Sequence, residues 1–271
     1  MDTRVYHIAF APEHKQAYLH FWGCNLDCKW CECKKAIWDY MLDETMRIHS
    51  FEPRHVAAPP TKFLGLDEVV GTLEKLGARW VLFEGQEASQ DLAFPAIARA
   101  LHERLSSTNV LLTNALSMPD VTDIDKVCVG LKAYDEKLHI HCTGKSNKQI
   151  LENFKKLAKC GKTLSAEMVY IPGCIEKDEI VRVARFIASV DANIRLQIDG
   201  YFKSGDNPWR PPTDAETEAA VMEARNYLNN VHCFKGSDAR QYKVESIFPS
   251  GAEIAEILRS SFLTDETGTK V

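Results

Sequence analysis

The segment HFWGCNLDCKWCEC, residues 20–33, carries Cys24, Cys28 and Cys31 with three and then two residues between them, and Cys33 close behind. Thiols this dense serve as a disulfide staple, as ligands to zinc or to an iron–sulfur cluster, or as small buried hydrophobes. The chain has nine cysteines, an odd number, and in a reducing compartment a close thiol group binds metal more often than it forms bridges. A structural zinc site is closed by four ligands, often two separated pairs. Here one trio stands without a second paired motif downstream, and Cys33 lies too near Cys31 to close a regular tetrahedron easily. Three thiolates on a four-iron cluster leave one iron open to a substrate or cofactor, and an open iron is a catalytic site. Cys128, Cys142, Cys160, Cys174 and Cys233 are scattered singly and read as small hydrophobes.

Such a loop needs a scaffold, and the chain alternates short β-rich runs with segments of helical period. Strands are expected at 17–23, 79–85, 109–114, 126–134, 163–173 and 193–202. Helices are expected at 66–77, at 91–105 with Asp91 as N-cap and Pro95 in the first turn, at 146–161 with Ser146 as N-cap, at 179–190 and at 214–229. Six strands with helices between them imply parallel pairing through right-handed crossovers, as an open doubly wound sheet or a closed or partial barrel. Either architecture gathers functional loops at the strand C-terminal ends. The thiol loop, EGQEAS, TNALS and LKAYDEKLH all fall there.

Composition narrows the rest. With 271 residues and 45% hydrophobic content the chain fills a sizeable core without disulfides. His7, Glu13, His14 and Lys15 interrupt any signal-peptide core, and no run approaches eighteen apolar residues, so a cytoplasmic protein without membrane contact is expected. A net charge of −5 argues against non-specific nucleic-acid binding, and the lysines from Lys145 to Lys162 read as a solvated helix face. TGKS at 143–146 is no phosphate loop, because His139 stands five residues before Gly144 where that motif needs glycine.

CNLDCKWC resembles the signature of the radical S-adenosylmethionine (SAM) enzymes, with Trp30 as the aromatic before the last cysteine. The resemblance implies a partial (β/α)6 TIM-like barrel in which Cys24, Cys28 and Cys31 hold a [4Fe-4S] cluster. It further implies that the open iron chelates SAM, whose reductive cleavage gives methionine and a 5′-deoxyadenosyl radical that abstracts a substrate hydrogen.

Over residues 17–202 the chain is most similar to the pyruvate formate-lyase activating enzymes and their relatives. Trp38 stands where they carry a tryptophan. Gly85, Gln86 and Glu87 resemble their GGE turn, with Gln86 replacing a glycine; Thr113 and Asn114 resemble DTN, with Leu112 in place of an aspartate that helps hold a monovalent cation. Leu131 and Lys132 resemble DLK, His139 matches a histidine, and Gly144 and Asn147 follow it. By this resemblance Trp30, Gly85, Gln86, Glu87, Thr113, Asn114, Lys132 and His139 line the SAM site.

The chain departs from that subgroup in having FAPEHKQAYLHF for a glycine-proline-glycine-arginine segment, and Gly200 and Tyr201 near the place of a SAM-contacting histidine. One domain over 1–263 is expected, with 203–263 as a C-terminal extension and 264–271 as a flexible tail; 43–63 and 203–212 are long enough to wall the active-site mouth. The implied partners are a flavodoxin or ferredoxin as external electron donor, since there is one cluster motif, and a glycyl radical enzyme. Radical modification of a small molecule, peptide or RNA base is the alternative, and a zinc-binding interaction module the alternative from another class.

Overall fold

The computed structural model describes residues 1–35, 37–39, 41–45, 56–235 and 242–262. One nine-stranded sheet organises them: β1 (Val5–Ala11), β2 (Gln16–Phe21), β3 (Trp80–Gly85), β4 (Thr108–Thr113), β5 (Lys126–Gly130), β6 (Thr163–Tyr170), β7 (Arg195–Gly200), β8 (Val231–Phe234) and β9 (Glu245–Phe248). The spatial order is β8-β7-β6-β5-β4-β3-β2-β1-β9. Strands β2 to β8 pair in parallel, and β1 runs antiparallel to both β2 and β9. The helices are α1 (Glu32–Lys35), α2 (Leu66–Leu76), α3 (Phe94–Leu105), α4 (Glu136–Thr143), α5 (Lys148–Leu157), α6 (Lys177–Val190), α7 (Asp214–Ala224) and α8 (Gly251–Phe262). This parallel-dominated open sheet has the architecture of a partial TIM-like barrel, as expected.

The strand period sorts side chains onto two unlike faces. Val81, Phe83, Leu111, Val127, Val129, Ala166, Met168, Leu196 and Ile198 are buried in the main core. Helix α3 meets this face with the stripe Phe94, Ile97, Ala98, Leu101 and Leu105, and the Phe83 and Phe94 rings meet edge to face at 5.3 Å. The intervening positions on the other face include His20, Glu84, Cys128, Glu167 and Asp199. Register sets His20 beside Glu84 and Gly130 beside Glu167. Polar residues at the centre of strands forfeit core packing, which marks this inner face as the functional one.

The six expected strands are β2 to β7. Three others were not foreseen, and one of them, β1, places the thiol loop after the second strand of the chain, not the first. β1 is buried along its whole length, so its apolar run lacks the alternation of a half-exposed strand, while β8 and β9 have four residues each and are too short to show a period. Both arise from the segment expected as a C-terminal extension, and they occupy opposite edges of the sheet.

Helix ends also differ. Asp91 lies before the true N-cap, Ala93; its carboxylate accepts from the amides of Ala93 (2.9 Å) and Arg4 (2.6 Å), tying the N-terminus to α3. The expected 146–161 helix is α5, with Asn147 at the N-cap position but no side-chain capping bond from it; Ser146 Oγ accepts from Lys148 N (3.3 Å) and donates to the Glu136 carboxylate (2.7 Å). α4, for which no helix was expected, precedes it. The expected tail at 264–271 and residues 46–55 of the expected mouth wall lie outside the described residues.

Candidate functional site

The thiol loop leaves β2 at Phe21 and is fastened on three sides. On the β3 side, the amides of Gln86 and Glu87 donate to the carbonyls of Phe21 and Gly23, both at 3.0 Å. The Gln86 side chain spans the loop: its oxygen accepts from Gly23 N (3.0 Å) and its nitrogen donates to the Cys33 carbonyl (3.4 Å). Gln86, the departure from GGE, therefore clamps both ends of the cysteine segment. Gly85 allows this approach. Its φ is +93°, and a Cβ there would lie 2.8 Å from Phe21 N and 3.0 Å from His20 Cα, so a side chain would collide with backbone.

On the second side, Asp27 N donates to Thr143 O (2.9 Å) and Lys29 N to Cys142 O (3.0 Å). These carbonyls belong to the last turn of α4, where a helix has no internal donors left; the cysteine loop supplies them. On the third, Asn207 donates to Lys29 O (2.9 Å), and Trp30 meets Trp209 edge to face at 6.2 Å. The segment around 203–212 thus packs on the thiol loop.

Within this frame Cys24, Cys28 and Cys31 are half-buried free thiols, near enough that Cys31 raises the pKa of Cys24, and Cys31 and Cys24 raise that of Cys28. Cys24 Sγ accepts from Leu26 N (3.4 Å) and Asn114 Nδ2 (3.5 Å). Burial pushes the Cys28 thiol up to about 11 and raises that of Cys24. Cys31 is pulled down to about 7, chiefly by a hydrogen bond from the Cys33 thiol, which is itself raised. Lys34 donates to Leu26 O (3.0 Å) and to the Asp27 carboxylate (2.7 Å). Burial opposes the charge on Lys132, but Glu167 and then the three thiols outweigh it and raise its pKa.

Glu87 is 2% exposed. Its carboxylate accepts from Ser89 Oγ (2.6 Å), Thr113 Oγ1 (2.8 Å) and Asn114 N (2.7 Å); burial raises its pKa and these bonds oppose the rise. Asn114 in turn donates to Asn25 Oδ1 (2.8 Å) in the thiol loop. The structure therefore brings Gly85, Gln86, Glu87, Thr113, Asn114 and Lys132 together around the cysteines. His139 is placed differently: it is 1% exposed, and its Nδ1 faces the Lys145 carbonyl at 2.7 Å, closing the turn between α4 and α5. Trp38 packs into a second apolar cluster with Tyr6, Tyr18, Leu42 and Ile254.

Four acidic groups were missed. Burial, with Cys31 and Asp199 adding to it, holds Glu32 at about 7; burial holds Glu84 at about 7 and, aided by Glu167, Asp199 at about 7. Glu84, Glu167 and Asp199 are charged residues inside apolar strands, a readable signal. Cys142 and Cys174, expected as single hydrophobes, lie with their sulfurs 3.7 Å apart.

Three converging thiols with two lysines to offset thiolate charge suit an iron–sulfur cluster, and burial of the free thiols means that ligation must displace protons. A parallel-sheet partial barrel carrying that loop at the end of a parallel strand defines a radical SAM enzyme. Residues 18–187 match the radical SAM superfamily, and the chain belongs to it. Its cofactors are a [4Fe-4S] cluster and SAM.

A Methanocaldococcus jannaschii protein provisionally named a glycyl-radical enzyme activating enzyme is 27% identical over 226 residues, 78% of each chain. The pyruvate formate-lyase-activating enzyme of Staphylococcus aureus is 29% identical over 121 residues, 41% of this chain and 47% of that one, so the match spans about half of that relative. In fold, a radical SAM methyltransferase from Sphaerobacter thermophilus is similar with a TM-score of 0.58 at 14% identity, covering 87% of this chain and 72% of its own. No helix among the described residues is long and apolar enough to cross a membrane.

Proposed function

We propose that this radical SAM enzyme activates a partner protein by abstracting hydrogen from a glycine. Cys24, Cys28 and Cys31 hold the cluster; Gly85, Gln86, Glu87, Thr113 and Asn114 frame SAM with Trp30 behind the loop, and Lys132 supplies positive charge beside them. His139 belongs to this set as a support of the α4–α5 turn. When bound and reduced, the cofactors supply reductive cleavage of SAM to methionine and a radical that takes the substrate hydrogen. The observation that carries the glycyl reading is the 78% reciprocal coverage with the activating-enzyme relative. An external flavodoxin or ferredoxin delivers the electron, because no second thiol trio stands among the described residues. A reducing cytoplasm fits nine free cysteines.

The polar inner face favours a second reading. Glu167, Asp199 and Cys128 line it, and the Trp209 segment packed on Trp30 walls the mouth, as a small molecule, peptide or RNA base would require. Family membership leaves the zinc-module reading without support. Isotopic labelling separates the first two. With reductant and SAM, deuterium passing from a glycine-labelled protein into 5′-deoxyadenosine, with a glycyl doublet in electron paramagnetic resonance, supports activation. Label arriving only from a low-molecular-weight fraction refutes it.

A further inference from the structure

His20 on β2 and Glu84 on β3 are register neighbours on the inner face, and Asp39 reaches them from the segment after α1. His20 Nε2 lies 3.5 Å from Glu84 Oε1 and 3.7 Å from Asp39 Oδ2. Both are ion-pair separations longer than an ordinary hydrogen bond; burial opposes charge on the imidazole, Asp39 and Glu84 outweigh it, and the buried Nε2 makes no hydrogen bond of normal length. A buried imidazole nitrogen set at ion-pair distance from two carboxylates, with no normal hydrogen bond to either, is an arrangement that a cation can satisfy in place of the ring proton. One ligand atom from each of the three residues lies within 4.8 Å of the others.

The surroundings hold this geometry. The His7 ring stacks on His20 at 4.7 Å, Trp38 meets His7 edge-on at 5.3 Å, and Tyr6 stands 6.2 Å from His20. Met41 N donates to Asp39 Oδ1 (2.8 Å), which turns Oδ2 toward the imidazole. Donors bound at about 2.0–2.2 Å around a tetrahedral zinc lie about 3.3–3.6 Å from one another, close to the spacing of His20 with Glu84 and Asp39. Imidazole nitrogen with two carboxylate oxygens is a zinc-type donor set, and a dication neutralises the two carboxylates that burial would otherwise oppose.

We propose that His20, Asp39 and Glu84 form a second metal site, a zinc site of one nitrogen and two oxygens separate from the cysteine cluster. Its three protein ligands leave a fourth position for water or another oxygen donor.

The test uses cluster-loaded protein, so that Cys24, Cys28 and Cys31 are occupied, dialysed against Zn2+ and assayed for both metals. About one zinc per chain is expected beside the iron, and Asp39→Asn and Glu84→Gln should each weaken zinc binding at least tenfold with iron unchanged. Wild-type protein that retains no zinc, or variants that bind it as tightly as wild type, would overturn the site. X-ray absorption at the zinc edge of the wild-type protein answers the question without any variant. Nitrogen and oxygen neighbours near 2.0–2.1 Å support the proposal, whereas sulfur near 2.3 Å would move the zinc to cysteine and refute it. Neither measurement involves SAM or a hydrogen donor, so its outcome is independent of the activation reading.

Discussion

The Glu87 carboxylate accepts from the Asn114 amide at 2.7 Å, which locks the turn after β3 to the end of β4 and, through Asn114, to Asn25 in the thiol loop. Glu87→Gln keeps the shape but turns an acceptor-only group into one that presents an amide to Thr113, Asn114 or Ser89. Loss of a buried charge-assisted network costs about 1.5–3 kcal/mol. Denaturant unfolding should register that loss, and equilibrium dialysis should find weaker SAM binding. Unchanged stability would mean that the three bonds contribute nothing.

Gly85→Ala tests the close approach of β3 to β2. With φ at +93° and backbone 2.8 Å from the added carbon, the substitution should cost more than about 2 kcal/mol. Because the displaced backbone carries Gln86, iron content after reconstitution should fall as well. Gln86→Ala removes only the clamp and should leave the fold nearly as stable while the cluster bleaches faster in air.

Cys28→Ala should abolish iron loading, measured as iron and sulfide per chain. Lys132→Ala should leave iron content unchanged and weaken SAM binding about tenfold or more, since it removes the half-buried ammonium beside Cys24, Cys28 and Cys31. A Lys132 variant with wild-type SAM affinity would remove this residue from the site.

Asp199 gives a pH dependence with a definite sign. Burial, reinforced by Glu167, lifts its pKa from 3.8 to about 7, while Gln197, Lys132 and Arg195 pull the other way. A carboxyl with a raised folded pKa contributes stability below its unfolded value and loses that contribution as pH rises through the folded one. Between pH 4 and 7 the protein should therefore lose on the order of 2–4 kcal/mol from this group. Asp199→Asn should flatten that part of the pH–stability curve, read from melts at constant ionic strength.

Strands β2 to β7 and the thiol loop were legible because local period and cysteine spacing are properties of neighbouring residues. What could not be read depends on distant partners. Asp27 and Lys29 look like loop residues until their amides are found on Thr143 and Cys142; Gln86 looks like a damaged motif until its side chain reaches Gly23 and Cys33. His20 and Asp39 carry no spacing signature, since β2–β3 register and the fold of the segment after α1 bring them to Glu84. β1 hid its period by being buried on both faces. His139 shows the opposite limit: family likeness marked the position, while local geometry gives its ring to the Lys145 carbonyl.

The amides of Asp27 and Lys29 complete the last turn of α4, so that helix end and the cysteine loop belong to one opening unit. Local unfolding exposes amides in contiguous blocks, and neither partner can fray without stranding the other's hydrogen-bonding groups. Removing iron should therefore speed deuterium uptake at Asp27 and Lys29 and also along residues 140–144 of a helix that contributes no cysteine ligand. Through that shared opening, metal loading reports on the stability of the α4 C-terminal turn.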